Sequence, residues 1–124
     1  MTKETDTWKT PNWLMGIFRW MHDATPPDYT EDFLALPNDY QPAVPIYMNP
    51  PYSNPLPFIQ KAIAIHKQNG TTVVILLKMD SSTQWYRELV DAKAHFLYFA
   101  ERLHYSDSKD SPPFSSILAI LSNK

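Results

Sequence analysis

The sequence contains no cysteine. That excludes a disulfide scaffold, thiolate zinc sites, iron–sulfur clusters and a cysteine nucleophile. Glycine occurs only at Gly16 and Gly70, whereas the dinucleotide fingerprint and the phosphate-cradling P-loop each need several. The longest fully apolar run, Val73 to Leu77, falls far short of the roughly 20 residues that span a bilayer. The opening Met1-Thr2-Lys3-Glu4-Thr5-Asp6 lacks the apolar segment of a secretory signal. Histidines 22, 66, 95 and 104 are scattered without metal-ligand spacing, so no metal site is expected. Ser115-Ser116 has no nucleophile elbow around it, which removes the usual serine-hydrolase signal. These absences point to a cytoplasmic domain with no membrane association.

What remains is 124 residues, 44% hydrophobic and 19% charged. That is the size of one domain, 1–124, with enough apolar residues for a core and too few charges for a disordered chain. Residues 1–9 are polar and are expected to be disordered. The net charge of −2 is uneven: residues 1–60 carry a net −4 and residues 61–124 a net +2. Non-specific nucleic-acid affinity comes mainly from Lys and Arg displacing counterions, so this chain has no global field that recruits DNA. A local basic patch or a partner subunit has to supply that attraction.

Ten of the twelve prolines lie between Pro11 and Pro57, which makes the first half turn-rich. Thr10-Pro11 predicts a helix start, with threonine as N-cap and proline at the first helical position. Trp13, Leu14, Ile17, Phe18 and Met21 then share one helical face. Residues 23–45 read as loop, with one helical turn near 31–36. A short strand is expected at Val44–Met48 and a helix over 55–68, stopped by Asn69-Gly70. A buried strand at Thr71–Leu77 follows, then a helix at Ser82–Ala92 with Trp85, Leu89 and Val90 inward. Strands at His95–Phe99 and Phe114–Leu121 close the order. The pattern predicts an α/β fold of about five strands, mostly parallel with a C-terminal antiparallel hairpin, flanked by helices.

The segment that carries chemistry is Asn49-Pro50-Pro51-Tyr52, placed directly after the Val44–Met48 strand. Two prolines stiffen the backbone and remove two N–H donors. Open α/β sheets bind ligands at the carboxyl ends of their strands. An asparagine oxygen and a neighbouring proline carbonyl form two fixed acceptors beside an aromatic ring. Such a group suits a flat, amine-bearing heterocycle: the acceptors take the amine protons and the ring stacks on the base.

Asn49-Pro50-Pro51-Tyr52 resembles the catalytic motif of S-adenosylmethionine-dependent amino-methyltransferases. The surrounding blocks resemble the phage-type DNA N6-adenine methyltransferases (Dam-like). They are Asp6 to Pro11 with Trp13-Leu14, Asn49 to Ser53, Thr83 to Tyr86, Arg102 to Tyr105 and Pro112 to Leu118, in the family's order. The resemblance implies a reduced Rossmann-like methyltransferase sheet and methyl transfer from S-adenosylmethionine to the N6 amine of a flipped adenine in double-stranded DNA. By carry-over, Asn49, Pro50, Pro51 and Tyr52 form the catalytic turn. Thr10, Pro11, Asp23 and Asn49 lie at the cofactor, with Asp23 opening an Asp-Pro-x-Pro-like turn at Asp23–Pro26. Ser53, Lys78 and Arg102 face DNA.

Three positions depart from the family pattern. The stretch between Thr10-Pro11 and Asp23 is several residues short, which threatens the strand leading into the cofactor turn. Asp80 stands where the family has an arginine, leaving Lys78 as the local cation. Glu101 replaces a glycine before Arg102. Two other readings therefore stand beside the DNA methyltransferase. One is an amino-methyltransferase acting on RNA or on a protein glutamine. The other is a non-catalytic, methyltransferase-like binding subunit. No segment is spare for reading several base pairs in the major groove, so short or relaxed sequence specificity is expected, or a partner that supplies it.

Overall fold

The computed structural model describes residues 10–25, 32–99, 103 and 115–123. Helix α1 (Asn12–Phe18) leads into strand β1 (His22–Asp23), and the single turn α2 (Asp32–Ala35) precedes β2 (Ile46–Met48). Helix α3 (Leu56–Asn69), β3 (Val73–Lys78), α4 (Gln84–Asp91), β4 (His95–Tyr98) and β5 (Ser116–Leu121) follow. The five strands form one sheet in the order β1-β2-β3-β5-β4.

The interior strands are apolar on both faces, and alternation sorts their side chains between two cores. Ile46, Met48, Val73, Ile75, Leu77, Ile117, Ala119 and Leu121 pack with Phe33 of α2, Phe58, Ile59, Ala62 and Ile65 of α3, and Trp85 and Leu89 of α4. On the opposite face Tyr47, Val74, Leu76 and Leu118 pack with Leu14 of α1 and with Leu103. Helices thus flank the sheet on both sides. The proline-rich stretch after α2 is tied to α3: Lys61 Nζ donates to the Leu36 carbonyl (2.6 Å), and Asn69 Nδ2 donates to the Tyr40 carbonyl (2.6 Å).

The expected order of elements holds, and the structure adds detail and corrections to it. Four of the five strands run in one direction and β5 alone is reversed, as expected of a mostly parallel sheet with a C-terminal antiparallel hairpin: β1–β2 and β2–β3 pair in parallel, while β3–β5 and β4–β5 are antiparallel. β5 enters between β3 and β4, so the closing hairpin is built into the sheet rather than appended to it. Helix α1 is capped by Pro11, and no side chain caps it; the Thr10 hydroxyl is engaged elsewhere. Trp13, Ile17 and Val90 are solvent-exposed rather than inward. On α1 the buried side falls to Leu14, with Met15, Phe18 and Met21 at its margin. The strand that the short Pro11–Asp23 segment threatened survives, but as two residues only. Residues 1–9, including Trp8 and Lys9, and the segments holding Pro26, Arg102, Glu101 and Pro112 to Phe114 lie outside the described residues.

Helix α3 ends as its Asn-Gly sequence predicts. Gly70 adopts a left-handed backbone (φ 73°) and donates its N–H to the His66 carbonyl at 2.7 Å. A β-carbon there would also collide with the Asn123 side-chain amide. Asn123 is exposed and its side chain can move aside, so the backbone conformation sets most of the cost. Gly70→Ala is expected to destabilise the protein by about 1–2 kcal/mol, the left-handed penalty of an L-residue, read as a lower midpoint in urea unfolding. An unchanged midpoint would mean that the turn relaxes at no cost.

Candidate active site

β1, β2 and β3 run parallel, so their carboxyl ends lie at one edge of the sheet. Asp23 ends β1, Asn49 follows β2 directly, and Lys78 ends β3. This edge is where an open α/β sheet presents its ligand crevice. Residue order along the chain and strand order in the sheet together bring Thr10, Asp23 and Asn49 into one hydrogen-bonded group.

Asn49 is held at two atoms by two threonines. Its backbone N–H donates to Thr25 Oγ1 at 2.7 Å, and its side-chain Nδ2 donates to Thr10 Oγ1 at 3.3 Å. Each threonine is fixed in turn. Thr10 Oγ1 lies 2.8 Å from the Tyr47 hydroxyl. The Thr25 N–H donates to Asp23 Oδ1 at 3.0 Å, an Asx turn of the kind that a short acidic side chain makes two residues ahead. The Ala24 N–H donates to the Tyr47 carbonyl at 2.8 Å, which extends the β1–β2 pairing into that turn.

Tyr47 explains why these hydroxyls meet. It is the one residue of β2 that points to the α1 face, where its ring is buried and stacks on Phe18 with centroids 5.0 Å apart. A buried phenol needs a hydrogen-bond partner, and Thr10 provides it. That contact takes the threonine hydroxyl away from the helix start. Thr10 therefore serves the sheet edge instead of capping α1, and buried Pro11 takes the cap position, with its carbonyl accepting from the Leu14 and Met15 N–H groups.

The turn itself continues from buried Pro50 through half-buried Pro51 and Tyr52 to exposed Ser53. The Asn54 N–H donates to the Pro51 carbonyl at 3.3 Å, so that carbonyl closes the turn. Tyr52 packs at the margin of the α1-side core. It also borders an open pocket of about 90 Å³ lined by Pro55, Leu77, Lys78, Asp80, Thr83 and Trp85. Tyr52 and Lys78 thus share a surface, and Lys78 is exposed at its rim. Ser53 is on the outer side of the turn, and Arg102 lies outside the described residues.

Two carboxylates at this edge have opposite environments. Burial pushes the Asp23 carboxyl up from its ordinary value, against the smaller opposing effects of the Thr25 N–H and of nearby His22. Asp80 is held below its ordinary value, chiefly by Ser82. Ser82 Oγ and its N–H both donate to Asp80 Oδ1, at 2.6 and 3.1 Å. The Asp80 carbonyl accepts from Thr83 Oγ1 at 2.8 Å, and Thr83 caps α4 by accepting the Tyr86 N–H. Asp80 is thus a turn residue that organises the start of α4.

Thr25 and Tyr47 escaped the sequence reading. A signal for Thr25 was present in Asp23-Ala24-Thr25, the spacing of an Asx turn. None marked Tyr47, because its partner Thr10 is 37 residues away. No group of three or more metal-ligating side chains occurs among the described residues.

A family model described as DNA N-6-adenine-methyltransferase (Dam) matches residues 1–118. A DNA N-6-adenine-methyltransferase of Haemophilus phage HP1 (strain HP1c1) is 46% identical over 52 residues, which is 42% of this chain and 30% of the relative. The match thus spans under a third of that relative's length. No solved structure matches the chain.

Because the folded protein favours the neutral form of Asp23, this carboxyl supports folding fully at low pH and loses that support as the pH rises through its raised pKa. Asp23→Asn keeps an acceptor for the Thr25 N–H and removes the poorly solvated charge. The variant is expected to melt above the wild type at pH 7, with the gap closing toward pH 3. Identical melting curves at pH 7 would show that the Asp23 charge is well solvated after all.

Proposed function

We propose, for a chain that belongs to the DNA N-6-adenine-methyltransferase family, methyl transfer from S-adenosylmethionine to the N6 amine of adenine in DNA. The observation that carries this reading is the fixed Asn49, clamped at its backbone and its side chain at the carboxyl edge of β2. The family name supports adenine N6 as the target. Flipping of that adenine from a double-stranded site, a reduced Rossmann-like methyltransferase sheet, one methyltransferase-like unit over 1–124 and a cytoplasmic location belong to the same reading. No helix among the described residues is long and apolar enough to cross a membrane.

The adenine amine is a weak nucleophile because its lone pair is delocalised into the ring. Asn49 Oδ1 and the Pro50 carbonyl accept the two amine protons, which favours the pyramidal amine that can attack. Tyr52 stacks on the base, with Pro50 and Pro51 keeping the turn stiff. Such acceptors stabilise charge as it develops on the nitrogen and need no reorganisation, so positioning and electrostatics account for the rate. Lys78 at the pocket rim is the local cation for a phosphate, and Ser53 and Arg102 remain the other DNA-facing candidates.

The cofactor's donor set fits this edge on one physical ground. S-adenosylmethionine carries a sulfonium and an ammonium, and Asp23 is a half-buried carboxylate whose charge lacks full solvation. A cation beside it restores that loss. Asp23 would face the cationic groups of the cofactor, with Pro11, Thr10 and Asn49 lining the same edge, and the cofactor would supply an electrophilic methyl group on sulfur. Asp23 also reaches Asn49 through Thr25, so the residues proposed for the methyl donor and for the amine are joined by two hydrogen bonds.

Transfer of labelled methyl groups to unmethylated DNA, RNA and protein in parallel tests the reading, with label expected on DNA adenine. Asn49→Ala is expected to lower that rate roughly 100- to 1000-fold, the typical loss for one charge-stabilising contact. S-adenosylhomocysteine binding should change little. Tyr52→Ala should weaken DNA engagement by about 1–3 kcal/mol, the value of one base–aromatic stack, and Tyr52→Phe should retain most activity. Wild-type rates in Asn49→Ala would remove Asn49 from the mechanism. Label on RNA or protein alone would move the substrate.

A further inference from the structure

The adenine reading requires Asn49 to present its oxygen, and nothing in an isolated asparagine ensures that. The amide is nearly symmetric in shape, so a half-turn about its last bond exchanges an acceptor for two donors. Presented the wrong way round, the NH₂ group would meet the amine with donors facing donors. Some other group must decide the orientation.

We propose that Thr10, anchored by Tyr47, is the positioning residue that fixes the Asn49 amide with Oδ1 toward the substrate amine; this rests on the adenine methyl-transfer reading above. Nδ2 of Asn49 donates to Thr10 Oγ1 at 3.3 Å, so the amide nitrogen is committed to the protein and its oxygen is turned the other way. A threonine side chain has its own ambiguity, because rotation about χ1 swaps hydroxyl for methyl. The Tyr47 hydroxyl, 2.8 Å from Thr10 Oγ1, removes it. The Tyr47 ring cannot swing away, being 1% exposed and stacked on Phe18. The clamp has Thr10 spend its one proton on the Tyr47 oxygen, which leaves only lone pairs facing Asn49; those accept from Nδ2 and cannot hold Oδ1 in its place. Thr25 holds the Asn49 backbone from the other side at 2.7 Å, so the side chain hangs from a fixed point. Orientation thus passes from a buried ring, through one hydroxyl, to the reacting group.

This role differs from a direct cofactor contact by Thr10, and three variants separate the two. Thr10→Val keeps the shape and removes the hydroxyl; Thr10→Ser keeps the hydroxyl; Tyr47→Phe keeps the stacked ring and removes the hydroxyl that anchors Thr10. Steady-state methylation of unmethylated duplex DNA should show kcat down about tenfold or more in Thr10→Val, the scale of a small misplacement of a reacting group. The KM for DNA and the S-adenosylhomocysteine affinity should stay within about twofold. Thr10→Ser should recover most of kcat, and Tyr47→Phe should fall between wild type and Thr10→Val. Added to Asn49→Ala, Thr10→Val should cost nothing further, because a residue that acts through Asn49 is silent without it. A Thr10→Val enzyme that loses S-adenosylhomocysteine affinity at unchanged kcat, or whose defect multiplies fully with Asn49→Ala, would overturn the proposal.

A second measurement reads the clamp apart from the reaction. In protein labelled with nitrogen-15 at asparagine, the side-chain amide signals assigned by their loss in Asn49→Ala should be shifted and protected from exchange. They should lose that protection in Thr10→Val and in Tyr47→Phe. Signals unaltered by Thr10→Val overturn the clamp. A wild type that labels no DNA adenine, yet shows the protected amide, removes the substrate reading and leaves the clamp standing.

Discussion

β2 is only three residues long, all of them buried, and it pairs in parallel on both sides. Most of what this molecule can do depends on that arrangement. A three-residue strand has few ladder bonds of its own and is held by its neighbours and by the cores above and below. Because both partners run parallel to it, the loops after β1, β2 and β3 all emerge at the same edge. An antiparallel partner on either side would have sent one of those three loops to the opposite end. The antiparallel pairings are confined to β5, beyond β3. The mixed sheet therefore keeps a parallel half, where the candidate site sits, and an antiparallel half that closes the apolar core.

The same strand couples packing to polarity. Ile46 and Met48 face the α3 side and Tyr47 faces α1. That single inversion places a phenol in an apolar layer, where an unpaired hydroxyl costs free energy comparable to a lost hydrogen bond. Thr10 meets the need, Asn49 joins it, and the chain before α1 is thereby drawn to the sheet edge. Asp23 adds the opposite kind of tension. A half-buried carboxylate costs stability at neutral pH, and the fold retains it at the end of a two-residue strand. A charge kept where it is poorly solvated is the expected mark of a ligand site.

Elements read well where hydrophobic period and punctuation agreed. Gly70 after Asn69 ended α3, the β-branched run at Val73–Ile75 announced β3, and the Asn49 turn followed its strand. Misreadings arose where one residue had two candidate partners. Thr10 before Pro11 looks like a helix cap, and only a tyrosine 37 positions away redirects it; a local rule cannot see that distance. Trp13, Ile17 and Val90 fit the apolar face of their helices by spacing. α1 is only seven residues long, though, and leaves Trp13 and Ile17 exposed, while on α4 Leu89 holds the buried position and Val90 points outward. The place of β5, between β3 and β4, was hidden because insertion order leaves no trace in hydrophobic period.

Asp80 carries the last step. The family resemblance leads one to expect an arginine here, this chain has a carboxylate, and a loss of DNA contact is the simplest inference from sequence alone. The structure gives the residue a different task. Its side chain gathers the Ser82 hydroxyl and N–H, and its carbonyl orients Thr83, which caps α4. Those bonds hold the carboxyl ionised, so an anion sits beside the pocket that Tyr52 and Lys78 also line. A phosphate approaching this rim would be drawn by Lys78 and repelled by Asp80, since opposite charges lining one pocket oppose each other's field. The ionisable side chains Lys78 and Asp80 therefore leave this rim with little net charge. On the DNA reading proposed above, this rim would serve to hold a base, and the attraction that recruits DNA would come from other surfaces or from a second subunit.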